Sequence, residues 1–304
     1  MRAMTAWEPL AAKETAPEDG PAFAVRRGAV DGMPAPTPLV FASPHSGRLY
    51  PADMMAAAAL DATAIRRSED AFVDELIGLA PSVGAALLTA SLARAYIDVN
   101  RDAFELDPAM FADALPDFAR ARTARVAAGL GAIPRVVSEG QEIYARKLNY
   151  AEARDRIDRA HRPYHAALAR LLGEAHAAHG FAVLIDWHSM PAAAARTNGR
   201  ASPCDIVLGD RFGAACSDAL TARVERELQA MGYRVARNTP YAGGYTTEHY
   251  GRPARRVHAL QIEINRALYL DEASLTPTEG FTRLKTDVER LTRSLALADW
   301  AGLK

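Results

Sequence analysis

His45, in the stretch Pro44-His45-Ser46-Gly47, and His188, in Trp187-His188-Ser189, each follow an apolar run and precede small residues. Imidazole nitrogen is the commonest protein ligand for zinc, and a catalytic zinc ordinarily takes three protein ligands and keeps one position open. Two histidines and one carboxylate would complete such a set. The chain has no His-Glu-x-x-His, so both imidazoles cannot come from one helix. A general-base histidine and a plain strand-end cap are the competing readings of this pair.

The carboxylate could be Glu69 or Asp70, in Arg67-Ser68-Glu69-Asp70-Ala71-Phe72. A helical wheel puts Glu69 between Ile65, Phe72 and Leu76 and turns Asp70 to the opposite side, so regular helix favours Glu69 for burial. A solvated face is the bland alternative, since Arg66 and Asp70 stand at i,i+4. Asn100-Arg101 offers a guanidinium, which matches a carboxylate with two parallel hydrogen bonds and would suit an acidic substrate. A salt bridge to Asp98, Asp102 or Glu105 would equally account for it. Glu263 lies inside Leu260-Gln261-Ile262-Glu263-Ile264-Asn265. A glutamate in an apolar strand is costly unless paired or functional, and burial would raise its pKa toward the range of a general base. Asp186 is expected to partner a nearby histidine.

The remaining histidines need less chemistry. His161, His165, His176 and His179 fall on one long helical stretch, and His165 stands out because it follows Pro163-Tyr164. His249 sits in a loop rich in Gly and Tyr, 241–251, which could close over a site as a lid. It is a substrate-binding candidate. A nucleophile elbow, a Walker loop and a dinucleotide fingerprint are all missing.

These groups must be positioned by something. Apolar runs at 38–43, 85–90, 95–100, 181–186, 205–209 and 259–265 read as strands, and amphipathic stretches at 61–80, 149–180, 211–231 and after 276–279 read as helices. Asn149 and Glu152 have capping-box spacing, and Pro163 predicts a kink or two consecutive helices. The alternation points to an α/β fold, with a mixed, mostly parallel sheet flanked by helices. In such sheets ligands bind beyond the carboxyl ends of strands, where His45, Asn100-Arg101, His188 and Glu263 would converge. Residues 1–35 read as an N-terminal arm and 36–304 as one domain.

Composition agrees. The 304 residues are 49% hydrophobic and 24% charged, with net charge −1 from 36 basic and 37 acidic residues. Nothing in that balance favours nucleic acid or an anionic membrane, and no apolar run is long enough to span a bilayer. Cys204 and Cys216 are the only cysteines, which excludes a disulfide scaffold and a cysteine-built zinc knuckle. The N-terminus lacks the layout of a signal peptide, so a cytoplasmic protein is expected.

Seven stretches resemble the N-formylglutamate amidohydrolase family: FASPHSGRLYP (41–51), RRSEDAFVDEL (66–76), ARAYIDVNRD (93–102), RPYHAAL (162–168), LIDWHSMP (184–191), PYAGGYTTEHYGRP (240–253) and LQIEINRALYLDE (260–272). The resemblance implies a fold like that of zinc carboxypeptidases and related deacylases. It implies metal-dependent hydrolysis of N-formyl-L-glutamate to formate and glutamate, within histidine breakdown. On this basis His45 and His188 match the family's metal histidines, and its helix-motif acid aligns with Asp70 rather than Glu69. Asn100-Arg101 looks like the pair that holds a substrate carboxylate, and Glu263 like the catalytic glutamate. The cofactor implied is one divalent ion, zinc from two imidazoles and a carboxylate, although this set also admits others. The partner implied is a small acidic substrate. Another acyl-amino-acid deacylase, a carboxypeptidase-like zinc hydrolase and a non-catalytic amino-acid-binding relative are the alternatives. Keeping His45, His188, Arg101 and Glu263 together argues against the last.

Overall fold

The computed structural model describes residues 20–28, 36–137, 140–196 and 203–300. Strands β1 (Phe23–Arg26), β2 (Leu39–Ser43), β3 (Ala86–Ala90), β4 (Ala182–Met190), β5 (Ile206–Gly209), β6 (Val235–Arg237) and β7 (Val257–Asn265) form one sheet in the order β1-β3-β2-β4-β7-β5-β6. The run β3-β2-β4-β7 is parallel, whereas β1 joins β3 and β5 joins β7 antiparallel. The fold is α/β with a mixed, mostly parallel sheet. β1 comes from the segment 1–35, of which residues 1–19 and 29–35 lie outside the described residues.

The helices are α1 (Ala52–Ala57), α2 (Val73–Leu76), α3 (Ala124–Ala127), α4 (Tyr150–Arg156), α5 (Arg162–His179), α6 (Asp218–Ala230), α7 (Tyr245–Tyr250) and α8 (Gly280–Ala296). The strands alternate between two covered faces. Leu39, Phe41, Ile185, Leu260 and Ile262 pack with Leu220, Val224, Leu284 and Leu291 of α6 and α8. Val40, Ala42, Leu184 and Ala259 pack with Tyr164, Leu168 and Leu171 of α5. Burial on both sides explains why β2 and β4 are buried at every position. A third cluster, including Met54, Tyr96, Ile97, Ile133 and Ile157, supports an irregular lobe between β3 and α4. Among the described residues no helix is long and apolar enough to cross a membrane.

Four expectations need correction. Residues 95–100 are not a strand but a run of turns. The Asp98 carboxylate accepts the Asn100 N–H at 2.9 Å, and Tyr96 N–H bonds back to the Ala93 carbonyl at 2.9 Å, so local bonds displace a ladder. Residues 61–80 are not one helix. The chain turns extended at Glu69 (ψ 141°) and left-handed at Phe72 (φ 63°), leaving short helical turns on either side. Helix α6 starts at Asp218 rather than near 211, because Arg211 and Phe212 take φ of 54° and 57°. Thr276–Pro277 forms a two-residue strand (β9) paired with β8 (Leu270–Asp271), so α8 begins only at Gly280.

The stretch 149–180 is helical, with a junction. The Glu152 carboxylate accepts the Asn149 N–H at 2.8 Å, as the capping-box spacing predicts. Between α4 and α5 lies a π-turn, Ile157–His161, closed by Arg162 N–H bonding to the Ile157 carbonyl. Pro163 follows in the first turn of α5, where its missing N–H costs little.

Candidate active site

Side chains on a strand alternate between faces. On β4, Ile185 and Trp187 join the α6/α8 core, which turns Asp186 and His188 to the other face. On β7, Leu260, Ile262 and Ile264 do the same for Gln261 and Glu263. The register sets His188 beside Glu263 and Asp186 beside Gln261. Acids inside apolar runs are thus explained by one polar patch at the carboxyl ends of neighbouring strands.

His45 follows β2 and meets this patch. Its Nδ1 lies 3.1 Å from His188 Nδ1 and 3.4 Å from Asp70 Oδ2, and His188 Nδ1 lies 3.1 Å from Asp70 Oδ2. Asp70 reaches this point because the chain breaks from helix there, its N–H bonding to the His45 carbonyl at 2.9 Å. Glu69 is also buried, but its carboxylate takes the Tyr50 hydroxyl at 2.6 Å and Arg66 Nε at 2.9 Å, away from the histidines. Between the two acids, Asp70 is the one that joins the cluster.

The outer nitrogens decide the tautomers. His45 Nε2 lies 2.7 Å from Asp98 Oδ1, and His188 Nε2 lies 3.1 Å from Asp186 Oδ2. A carboxylate only accepts, so His45 Nε2 carries its hydrogen; the Asp186 charge beside His188 Nε2 favours the same tautomer there, and each neutral ring then presents an Nδ1 lone pair inward. Two lone pairs and a carboxylate oxygen then face one point and need a cation or a proton between them. Bonds of ~2.0–2.1 Å in a tetrahedral zinc site separate donors by about 3.3 Å, close to the three separations here. His45, Asp70 and His188 therefore fit a divalent metal, with Asp98 and Asp186 orienting the imidazoles. Without a metal, burial opposes ionisation of Asp70, yet the His188 and His45 rings, when protonated at Nδ1, donate to it and hold it well below the ordinary carboxylate value.

Glu263 is buried, and burial pushes its carboxyl up to about 7, with Asp70 adding in the same direction against His188, Arg94 and Arg266. Gln261 Nε2 donates to Glu263 Oε1 at 2.8 Å and fixes its orientation. Arg266 donates to Asp70 Oδ1 at 3.0 Å and Arg94 to Asp98 Oδ2 at 2.7 Å.

A cleft of about 1180 Å³ opens over the cluster and is lined by Arg67, Arg94, Arg101, Arg125 and Arg266 among others. Arg94 and Arg266 are committed to Asp98 and Asp70. Arg101 is anchored through Nε to the Leu130 carbonyl (2.9 Å) and through Nη1 to the Asn100 carbonyl (2.8 Å). Arg125, on α3, comes no closer than 3.7 Å to the Glu105 carboxylate. Asn100 lines the cleft as well, and its Oδ1 accepts the Thr246 N–H at 2.8 Å; with the hydrogen on His188 Nε2, its Nδ2 only packs there, 3.2 Å away. Gly244 is required there, since a Cβ would sit 2.4 Å from Asn100 Nδ2.

His45, Asp70, His188, Asn100, Arg101 and Glu263 all border this cleft. His249 does not. It stacks on Tyr245 with ring centroids 5.1 Å apart, in an aromatic group with His165 and Tyr250. The loop expected as a lid is partly helix α7, fastened to Asn100, and its residues 240–244 form cleft wall. Sequence reasoning missed Arg94, Arg125 and Gln261. Arg94 stands four residues before Asp98, a spacing that could have signalled it; Arg125 has no local signal.

A family model described as N-formylglutamate amidohydrolase matches residues 37–270. An N-formylglutamate deformylase of Pseudomonas aeruginosa is 32% identical over 239 residues, spanning 77% of this chain and 83% of that protein. One from Pseudomonas putida is 29% identical over 248 residues, spanning 81% and 84%. The crystal structure of an N-formylglutamate amidohydrolase from Ralstonia eutropha superposes with a TM-score of 0.81 at 40% identity, covering 90% of this chain and 97% of that one.

Proposed function

Because the chain belongs to the N-formylglutamate amidohydrolase family, and so is an amidohydrolase, we propose that it hydrolyses N-formyl-L-glutamate to formate and L-glutamate with a divalent metal, zinc by its donor set. The observation that carries the reading is the meeting of His45 Nδ1, His188 Nδ1 and Asp70 Oδ2 beside Glu263. A divalent ion held by these three residues would supply Lewis-acid polarisation and a water acidified to near neutrality.

The protein's own groups do the rest. Glu263, with its carboxyl near 7, takes a proton from the attacking water as the new C–O bond forms at the formyl carbon. It returns that proton to the glutamate nitrogen as the C–N bond breaks. Gln261 keeps the accepting oxygen in place. Arg101 binds a substrate carboxylate and Arg125 supplies a second positive charge on the same wall, which suits a dianion. Fixing both ends orients the formamide over the donor cluster.

The test is formate release by the purified protein, with bound metal quantified. N-formylglutamate should exceed N-acetyl and N-succinyl analogues, and chelation should abolish turnover until metal is restored. Chelator-resistant turnover would remove the metal from the mechanism, and preference for another acyl group would move the substrate assignment to a different deacylase.

A further inference from the structure

We propose that His161 and His165 are positioning residues for the substrate clamp, holding the peptide carbonyls on either side of Asn100 so that Arg101 and Asn100 keep their places at the cleft wall. The inference rests on the reading of Arg101 as a carboxylate clamp.

His161 Nε2 lies 2.8 Å from the Arg101 carbonyl, and His165 Nε2 lies 2.8 Å from the Val99 carbonyl. Carbonyls only accept, so both rings carry hydrogen on Nε2. The Tyr250 hydroxyl donates to the His165 carbonyl at 3.1 Å and places its oxygen 3.0 Å from His165 Nδ1, so Tyr250 braces the residue from its other side. Burial pushes His165 down to about 3, and it lowers His161 against the pull of the Arg101 carbonyl. Both stay neutral at working pH and add no positive charge beside the guanidinium.

The helix is built to present this pair. Four residues apart, the two rings share one face, with centroids 4.5 Å apart. The π-turn at Ile157–His161 supplies the phase. Before it and within it, Ala153, Ile157 and Ala160 pack into the irregular lobe, whereas after it Tyr164, Leu168 and Leu171 pack on the sheet. One extra residue in the turn rotates the following helix by about 100°, which lets both faces bury and swings the histidines onto the 99–101 backbone.

That backbone has no sheet to hold it. Inside, the Asp98 carboxylate grips Asn100 N–H at 2.9 Å. Outside, the two imidazoles grip the carbonyls. The same turn carries the Asn100 side chain to His188 and to the first turn of α7, and Arg101 to the cleft. Loosening it displaces the clamp, whereas Asp70 and Glu263 are held from elsewhere, by Arg266 and Gln261.

The experiment compares His161→Leu, His165→Leu, His161→Gln and His165→Gln in the metal-loaded enzyme, alone and with Arg101→Ala. Leucine keeps bulk and removes the donor; glutamine keeps an amide N–H. The leucine variants should raise KM for N-formylglutamate about tenfold with a smaller change in kcat, and glutamine should recover most of the loss. In the Arg101→Ala background the leucine changes should add little. Amide exchange at residues 98–102 and at Tyr245 and Thr246 should quicken in the leucine variants and slow again with glutamine. Effects that multiply with Arg101→Ala, glutamine no better than leucine, or unchanged exchange would each overturn the positioning role. If Arg101→Ala itself leaves KM unchanged, the clamp reading fails and takes the functional part of the inference with it, while exchange still reports whether the histidines hold the turn.

Discussion

His188 on β4 and Glu263 on β7 occupy paired positions across two parallel strands. The proposed metal ligand and the proposed proton carrier are therefore held on adjacent inner strands of the sheet, at a separation set by strand spacing. Neither depends on loop closure for its place.

Glu263→Gln should keep the metal and lose ~10²–10⁴-fold in kcat, the usual worth of a positioned general base. In the parent, kcat/KM should climb with pH as the carboxyl, near 7 in the metal-free protein, ionises. A bound cation shifts that midpoint down, never up. Stopped assays from pH 5 to 8 with metal content checked at each point are the measurement. A flat profile, or a fully active glutamine variant, sinks the assignment.

The two neighbouring acids should separate cleanly. Asp70→Asn should lose metal, because its Oδ2 is one of the three inward donors. Glu69→Gln should retain metal and instead destabilise the fold by about 1–3 kcal/mol, through its buried bonds to Tyr50 and Arg66. Metal analysis and thermal unfolding of both variants decide it; metal loss in Glu69→Gln alone would reverse the assignment.

Arg101→Ala and Arg125→Ala should act on substrate charge. Each should raise KM for N-formylglutamate by about 10–100-fold, the scale of a charged hydrogen bond, and leave metal content unchanged. Arg125→Ala should also narrow the preference for N-formylglutamate over N-formylglutamine, which lacks the second carboxylate. An unaltered preference would place the dianion's second charge elsewhere.

Metal-stripped protein should lose stability as pH rises. Burial alone would lower His188, but the Asp186 carboxylate and then Asp70 hold it well above 6.5. A proton bound more tightly in the folded state contributes stability that is complete below 6.5 and is lost as pH passes upward through the folded value. A bound metal takes that proton's place, so metal-loaded protein should not show the decline, and metal affinity should rise with pH. Unfolding curves of both forms between pH 6 and 9 test this; parallel curves would contradict it.

The amino-acid sequence by itself determined the layered sheet and two of the site's corners. Apolar runs at 38–43, 181–186 and 259–265 are strands of its centre, and the polar residues breaking them, His188 and Glu263, lie together. A short continuous apolar run, the mark of a strand covered on both faces, is a local property, so it is written locally. The choice between Glu69 and Asp70 was not, because the wheel presumes helical hydrogen bonds, and at Asp70 the N–H goes instead to His45, 25 positions back in the chain. The turn at 98–101 escaped for the same reason: Asp98 and two distant histidines satisfy its backbone where a strand ladder was expected. The antiparallel entry of β5, the exclusion of His249 from the cleft and the arrival of Arg125 were settled only by tertiary structure. Backbone groups accept whichever partner the fold brings near, and residue pattern specifies how much is buried far better than it specifies with whom.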